Sequence, residues 1–478
     1  MKQSTSSTLR SIALTLSILM AAGVSAFGQN TAIIPEPRTP QMWSGRWQEK
    51  LARVKQGDID LILVGDSITH AWDNPENSAV WSSYYAPRKA VSLGYSGART
   101  ENILWMLQNG EVDGITPKVA VVLIGTNNTD YRHYSSTHSP EELAAGIGKV
   151  VQTLREKLPT TKILLLSIFP REDMPKSWDV CAKASMIASK LADNRNIFCL
   201  DINKTFLKPD GTIDSSLMPD RLHPNPVGNL LWAEAMEPAL EKLMGRPENS
   251  AIIPAQKCED DFYNWQERHE AVKVAITKGP VDLVFIGDSI THLFGGEPTP
   301  DMRGKAVWEK FYGARHAVNL GFGWDRTQQV LWRLQNGEFE GIHPKAAVVL
   351  IGTNNLTPHN ARANTNAEIV AGVKEICSTV HRKSPQTRIL LMGILPRGVQ
   401  PSELNRVRIV QINQELAKLN GKQNITFMDI GSKFLDTNGA LLPDVTTDSL
   451  HPNEKGYTLW AEAIDPTLTK WLGKTAKP

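Results

Sequence analysis

Cysteine is scarce in this chain: Cys181, Cys199, Cys258 and Cys377 are all it has in 478 residues. No two of them form a C-x-x-C pair, so neither a zinc knuckle nor a dithiol redox centre is encoded. So few thiols cannot act as the disulfide framework of so long a chain. Buried thiols are the simpler reading, with a Cys181–Cys199 bridge as the alternative. Net charge is equally scarce, since 52 Lys and Arg against 50 Asp and Glu leave +2. That removes the electrostatic case for nucleic acid or an anionic membrane surface. Long apolar runs are missing after the first residues, and no later run approaches the ~18 residues of a membrane span. The exception, Ser11 to Val24, follows a basic region with Lys2 and Arg10 and ends in Val24-Ser25-Ala26. This is the pattern of a signal peptide over residues 1–26, cleaved after Ala26, and it predicts a secreted or periplasmic protein. A retained anchor is the alternative, and the stretch is short for it.

What remains has the composition of an ordinary globular protein, 41% apolar and 21% charged. Its organisation is set by repetition. Gly65-Asp66-Ser67-Ile68-Thr69-His70 returns as Gly287-Asp288-Ser289-Ile290-Thr291-His292. Val121 to Asn128 returns unchanged at Val348 to Asn355. Leu104 to Glu111 returns at Leu331 to Glu338 with one substitution, Met106 against Arg333. Asp220-Arg221-Leu222-His223-Pro224 returns as Asp448-Ser449-Leu450-His451-Pro452, and the lead-in Ala32-Ile33-Ile34-Pro35 at Ala251. The offset grows from 222 at the serines to 227 at Asn127 and Asn354, because extra residues lie in Gly295 to Pro300, a loop composition. A repeat this long is a duplicated domain, not a solenoid unit. The expected domains are 30–245 and 251–474.

Within the first copy, helices are expected at Trp43 to Gln56, Arg99 to Gln108, Pro140 to Lys157, Lys176 to Asn194 and Asn225 to Leu243. Strands are expected at Asp60 to Val64, Ala90 to Leu93, Val119 to Ile124, Ile163 to Ser167 and Ile197 to Leu200. Apolar strands alternating with helices predict an α/β fold, a parallel sheet covered on both faces. Ligands gather at the carboxyl edge of such sheets, which is where Ser67 and Ser289 fall.

A serine hydroxyl needs a base to become a nucleophile. Asp220 and His223, like Asp448 and His451, stand three apart in a loop before the last helix, so the carboxylate can orient the imidazole. A helix-entry Asp beside a surface His is the bland reading, and recurrence beside a repeated Ser counts against it. Acyl transfer also needs donors for an oxyanion. Gly94 and Gly321 follow the second strand of each copy, and Asn127 and Asn354 the third. Turn chemistry alone also favours these residues. Asp66 and Asp288 read as local caps. For His70 and His292 a satisfied surface position is favoured over a pocket wall, and for Trp72, Trp81 and Trp308 core packing over a pocket lining.

In this order, the G-D-S, Gly, G-x-N and D-x-x-H blocks resemble the GDSL/SGNH hydrolase superfamily. His316 to Gly323, Val330 to Glu338, Gly352 to Asn355 and Leu395 to Gly398 further resemble the catalytic subunits of platelet-activating-factor acetylhydrolase. The resemblance implies tandem flavodoxin-like, three-layer α/β/α domains and hydrolysis of esters, often acetyl esters, with no metal or cofactor. It implies Ser67 and Ser289 as nucleophiles, His223 and His451 as bases, and Asp220 and Asp448 as their orienting acids. The oxyanion holes would be Gly94 with Asn127 and Gly321 with Asn354. The expected substrate is a small ester or acetylated carbohydrate, with a platelet-activating-factor-like lipid or lysophospholipid as the alternative. One domain serving as a non-catalytic binding module is a further alternative. Because the acetylhydrolase subunits pair, an intramolecular pseudo-dimer is also expected.

Overall fold

In the computed structural model, residues 29–38, 41–257, 263–359 and 361–473 are described. The expected signal peptide and Cys258 lie outside them. Two five-stranded sheets form. The first contains β1 (Leu61–Gly65), β2 (Ala90–Gly94), β3 (Val119–Leu123), β4 (Lys162–Leu166) and β5 (Ile197–Leu200), in the order β2-β1-β3-β4-β5. The second contains β6 (Leu283–Gly287), β7 (Ala317–Gly321), β8 (Ala346–Leu350), β9 (Arg388–Met392) and β10 (Ile425–Met428), in the same order by position. Every pairing is parallel. Both domains are thus three-layer α/β/α units of the flavodoxin-like strand order, as expected.

The continuous apolar runs arise because alternate residues serve two cores. Ile62 and Val64 pack with helices Gln41–Lys55, Thr100–Gln108, Pro140–Lys157 and Pro175–Ala188. Leu61 and Leu63 face the other way, toward Ser78–Tyr84 and Pro226–Met244. Val284 with Ile286, and Leu283 with Phe285, repeat the division in the second domain. The expected helix from Lys176 to Asn194 is shorter, ending at Ala188 before a 3-10 turn, Ser189–Leu191. Asp193 stops it: its Oδ1 accepts the N–H groups of Arg195, Asn196 and Ile197, a local alternative to the helix ladder. Cys181 and Cys199 carry free thiols, so the bridge considered between them is not formed.

The chain runs from β1 out to β2 and then back across β1 to β3. This reversal opens a crevice at the carboxyl ends of β1 and β3, and Ser67 and Asn127 follow those two strands. The second domain repeats the arrangement with β6, β8, Ser289 and Asn354.

The two domains touch through different faces. From the first come helices Ser78–Tyr84 and Pro226–Met244, and from the second come residues 361–366 and helix Leu404–Ala417. Ala363 N donates to Ser82 Oγ at 2.9 Å, and Ser83 Oγ donates to Asn364 O at 3.2 Å. Fully buried Arg408 donates to Asn366 Oδ1 at 2.9 Å and Leu356 O at 3.0 Å. Asn366 Nδ2 reaches Glu234 of the first domain at 3.3 Å.

Candidate active site

Asp66 caps the one-turn helix Ser67–His70, accepting the Ile68 N–H at 3.0 Å. Asp288 does the same for Ile290 at 3.0 Å. Both are local caps, as expected. Burial pushes the Asp66 carboxyl up to about 6 and that of Asp288 up to about 7.

In the first domain His223 Nε2 lies 2.8 Å from Ser67 Oγ, and His223 Nδ1 lies 2.6 Å from Asp220 Oδ2. The other oxygen, Asp220 Oδ1, accepts the N–H groups of Leu222 at 3.0 Å and His223 at 2.7 Å. In the second domain Ser289 Oγ–His451 Nε2 is again 2.8 Å and His451 Nδ1–Asp448 Oδ2 again 2.6 Å. Arg221 and Ser449, at φ +63° and +60°, put the left-handed bend in the three-residue spacing that folds each Asp under its His. Burial works against ionisation of Asp220 and Asp448, but hydrogen bonds from the following His outweigh it and hold both carboxyls below their ordinary value. An ionised carboxylate only accepts, so Nδ1 carries the imidazole proton and Nε2 is free to take the serine's.

Asn127 and Asn354 stand at the same crevice. Asn127 Nδ2 donates to Ala98 O at 2.9 Å, and Asn354 Nδ2 to Asp325 O at 3.0 Å. One N–H of each amide is thereby anchored and the other remains to donate. Gly94 and Gly321, the backbone donors expected for the oxyanion holes, also serve the packing of the sheet edge. A Cβ on Gly94 would lie 2.3 Å from His70 N, so this glycine exists to let the Ser67 helix seat on the sheet. The Gly321 N–H is already spent inside the protein, on Asn319 Oδ1 at 2.7 Å. β2 is followed by a turn, Tyr95 to Ala98, closed by Ala98 N to Tyr95 O at 2.9 Å. Ser96, in this turn, lines the same cavity as Ser67, and Gly97 follows it. Gly97 sits at φ +73°, where glycine is favoured. Its counterpart is Trp324 at φ +60°, 42% exposed and stacked on His359 at 4.3 Å.

The peptide bearing the Gly97 N–H is held from its other side. Ser96 O accepts from Arg38 Nη1 at 3.2 Å and Trp43 Nε1 at 3.0 Å. Gly323 O accepts from Lys257 Nζ at 3.5 Å and Tyr263 Oη at 3.1 Å. A carbonyl loaded with a cation and a second donor makes its own N–H a better donor. Arg38→Ala, on a Ser289→Ala background, is expected to lower kcat on a small ester about tenfold, with KM little changed. Steady-state kinetics checks this, and a shift confined to KM would contradict it.

The two sites differ in access. Ser289 is 7% exposed, and the His451 side chain 20%, against 38% for His223. His292 is buried, stacks edge-on with Tyr263 at 4.9 Å and accepts from Gly323 N at 3.3 Å, so the surface position expected for it is corrected. Burial, with Arg268 and Arg333 behind it, holds His292 far below its ordinary value and neutral. His70 is half-buried, lines the Ser67 cavity and pairs with Ser96 Oγ at 2.8 Å. Trp72 and Trp308 are core residues, and Trp81 packs against the core. The inserted loop of the second domain covers the edge strand, with Asn319 N donating to Glu297 O at 2.9 Å. Just beyond it, Arg303 reaches Thr447, beside Asp448, at 2.7 Å. Among the described residues no cluster of three or more His, Cys, Asp or Glu is placed to hold a metal. Among them, too, no helix is long and apolar enough to cross a membrane.

A repeated serine relay at the switch point of an α/β/α sheet defines an acyl-transfer centre, and sequence comparison agrees. The chain belongs to the GDSL-like Lipase/Acylhydrolase family, whose model matches it twice, over residues 63–231 and 285–459. It is a carboxylic ester hydrolase. Platelet-activating factor acetylhydrolase IB subunit alpha1 of Rattus norvegicus is 34% identical over 235 residues, 48% of this chain and 94% of that protein. The alpha2 subunit of Homo sapiens is 32% identical over 230 residues, 48% of this chain and 93% of that protein. Among solved structures, a GDSL-like lipase from Bacteroides thetaiotaomicron aligns at TM-score 0.36 and 19% identity, over 43% of this chain and 97% of that one. An acetyl xylan esterase aligns at TM-score 0.34 and 22% identity, over 38% and 100%.

Proposed function

We propose that the chain is an exported esterase that removes short acyl groups, acetyl above all, from carbohydrate, with Ser67 and Ser289 as nucleophiles. The observation that carries the proposal is the relay of 2.8 Å and 2.6 Å, repeated in both domains. Ser67 Oγ attacks the ester carbonyl while its proton passes to His223 Nε2, and Asp220 stabilises the imidazolium. The oxyanion is met by the Ser67 and Gly97 N–H groups and the Asn127 amide. The alcohol leaves with the proton from His223. Water then adds to the acyl-enzyme, gives its proton to His223, and the acid departs. Ser289, His451, Asp448 and Asn354 repeat the cycle. No metal or cofactor enters it.

Carbohydrate is favoured by the open Ser67 cavity, which is rimmed by Asn74, Glu76 and Ser96. Such a rim hydrogen-bonds hydroxyls and would be left unpaired by an aliphatic tail. Export is favoured by Lys2, Arg10 and the apolar run that follows. The similarity to acetylhydrolase subunits favours a second reading, a platelet-activating-factor-like lipid, and the tighter Ser289 site is its natural place. Acetate release from acetylated xylan and pectin, set beside release from an acetylated ether phospholipid, tests the choice. Saccharide turnover by the open site is expected, and turnover of the phospholipid alone would overturn the carbohydrate reading.

A further inference from the structure

The Ser67 cavity, about 280 Å³, does not end at the first domain. Glu76 on its rim also lines a second cavity of about 380 Å³, which crosses the seam between the domains. Asn225, Pro226 and Val227 form the near wall of this second cavity, and Ser402, Glu403 and Asn405 the far wall. Glu403 and Asn405 in turn line a third cavity, about 270 Å³, closed by Arg397 and Asp448. Shared walls make the three one groove. It starts at the nucleophile of the first site and ends against the orienting carboxylate of the second.

We propose that this groove is the binding track of a hydroxyl-rich chain, an oligosaccharide, so that the second domain supplies distal subsites for hydrolysis at Ser67. The proposal rests on the reading of Ser67 as the nucleophile for carbohydrate esters. The groove's chemistry selects the occupant. Amide, hydroxyl and carboxylate groups alternate with the small apolar faces of Ala79, Pro226 and Val227, and a sugar ring likewise has hydroxyl edges and an apolar face. Glu76 and Glu403 repel a phosphodiester chain. An acyl tail would strip water from these polar walls and return no hydrogen bonds. Asn405, half-buried at the junction of the second and third cavities, brings a side-chain amide to the wall of both, a group that pairs with sugar hydroxyls. The track is held in shape by the seam beside it. Leu404 packs into the core of the first domain, and the Ser82 and Ser83 bonds fix the facing loop.

The test uses the intact chain carrying Ser289→Ala, so that turnover reports the Ser67 site. Its substrates are p-nitrophenyl acetate and acetylated xylo-oligosaccharides of increasing length. KM is expected to fall with length until the chain reaches across the seam, and then to level off. Asn405→Ala is expected to raise KM about tenfold for long chains, the worth of one or two neutral hydrogen bonds, while leaving p-nitrophenyl acetate unchanged. Asn405→Trp, which blocks the track by bulk, should act in the same direction and more strongly. A KM independent of length, or seam variants that affect short and long substrates alike, would overturn the track while leaving the carbohydrate reading intact. Turnover of p-nitrophenyl acetate with none of any acetylated saccharide would overturn both.

Discussion

The Ser67→Ala/Ser289→Ala protein is expected to keep its fold and lose ester hydrolysis by about 10⁴- to 10⁶-fold, the scale on which removal of a serine nucleophile acts. The substitution removes one oxygen from each site. Each Asp–His pair keeps its 2.6 Å hydrogen bond, and the strands beneath are untouched. Loss of turnover then reports chemistry and not unfolding, and circular dichroism on the same sample separates the two. Burst release from p-nitrophenyl acetate should vanish as well, because no acyl-enzyme can form. The single variants divide the work. Ser67→Ala is expected to remove most of the turnover of acetylated saccharides, since its site is the open one. Ser289→Ala is expected to spare them and remove part of the activity on small esters. Near-parental turnover in the double variant would sink the mechanism. If one single variant abolishes all turnover, the other domain is a binding module.

Arg333→Met is expected to destabilise the second domain by about 3–5 kcal/mol, the cost of stranding buried carboxylates without their cation. Arg333, Asp325 and Glu338 are all fully buried. Arg333 Nε pairs with Asp325 Oδ2 at 2.8 Å, and its Nη1 pairs with Glu338. Burial already pushes the Asp325 carboxyl up to about 6, and Arg333 is the chief influence pulling it back. The substitution copies the first domain, where Met106 stands at this point and Ala98 replaces Asp325. Arg333→Met/Asp325→Ala should therefore recover part of the loss, and Glu338 would keep His269 Nδ1 at 2.7 Å. Denaturant unfolding of the two variants measures the recovery. Equal stabilities would show that the pair is not coupled. Activity at Ser289 should fall in the single variant, because Asp325 O anchors the Asn354 amide.

The sequence made some features of these domains legible and hid others, for physical reasons. Strands buried on both faces are unbroken apolar runs, so β1 was expected one residue away from where it forms. The Asp-His spacing is local, and duplication displayed it twice, so the relay could be read before any coordinates. The packing duty of Gly94 was hidden because a glycine at a strand end serves close packing and N–H donation equally well on paper. The 2.3 Å at which a Cβ there would meet His70 N shows the packing role. Gly97, three residues past the end of β2, stands in the turn to which Asn127 is tied through Ala98 O. The burial of His292 depends on Tyr263 and Gly323, each about thirty positions away, and the groove across the seam joins residues as distant as Glu76 and Glu403; no local pattern records either. Arg333 against Met106 was visible as a lone mismatch in a repeated block, but its buried partners were not.

The seam has a consequence for assembly. It joins unlike faces, head to tail, and a contact of that kind can propagate into a fibre when every unit carries both faces. Among the described residues this contact is made once. Where the first domain presents Ser82 and Ser83 to the loop of the second, the second domain presents Glu309 and Lys310, both exposed, at the corresponding points of helix Lys305–Tyr312. Where the second domain docks with Arg408 and Asn366, the first has Val180 and Pro140. The docking face thus belongs to the second domain and its receptor to the first, and the residues that make this contact are not repeated at the corresponding points of the other copy.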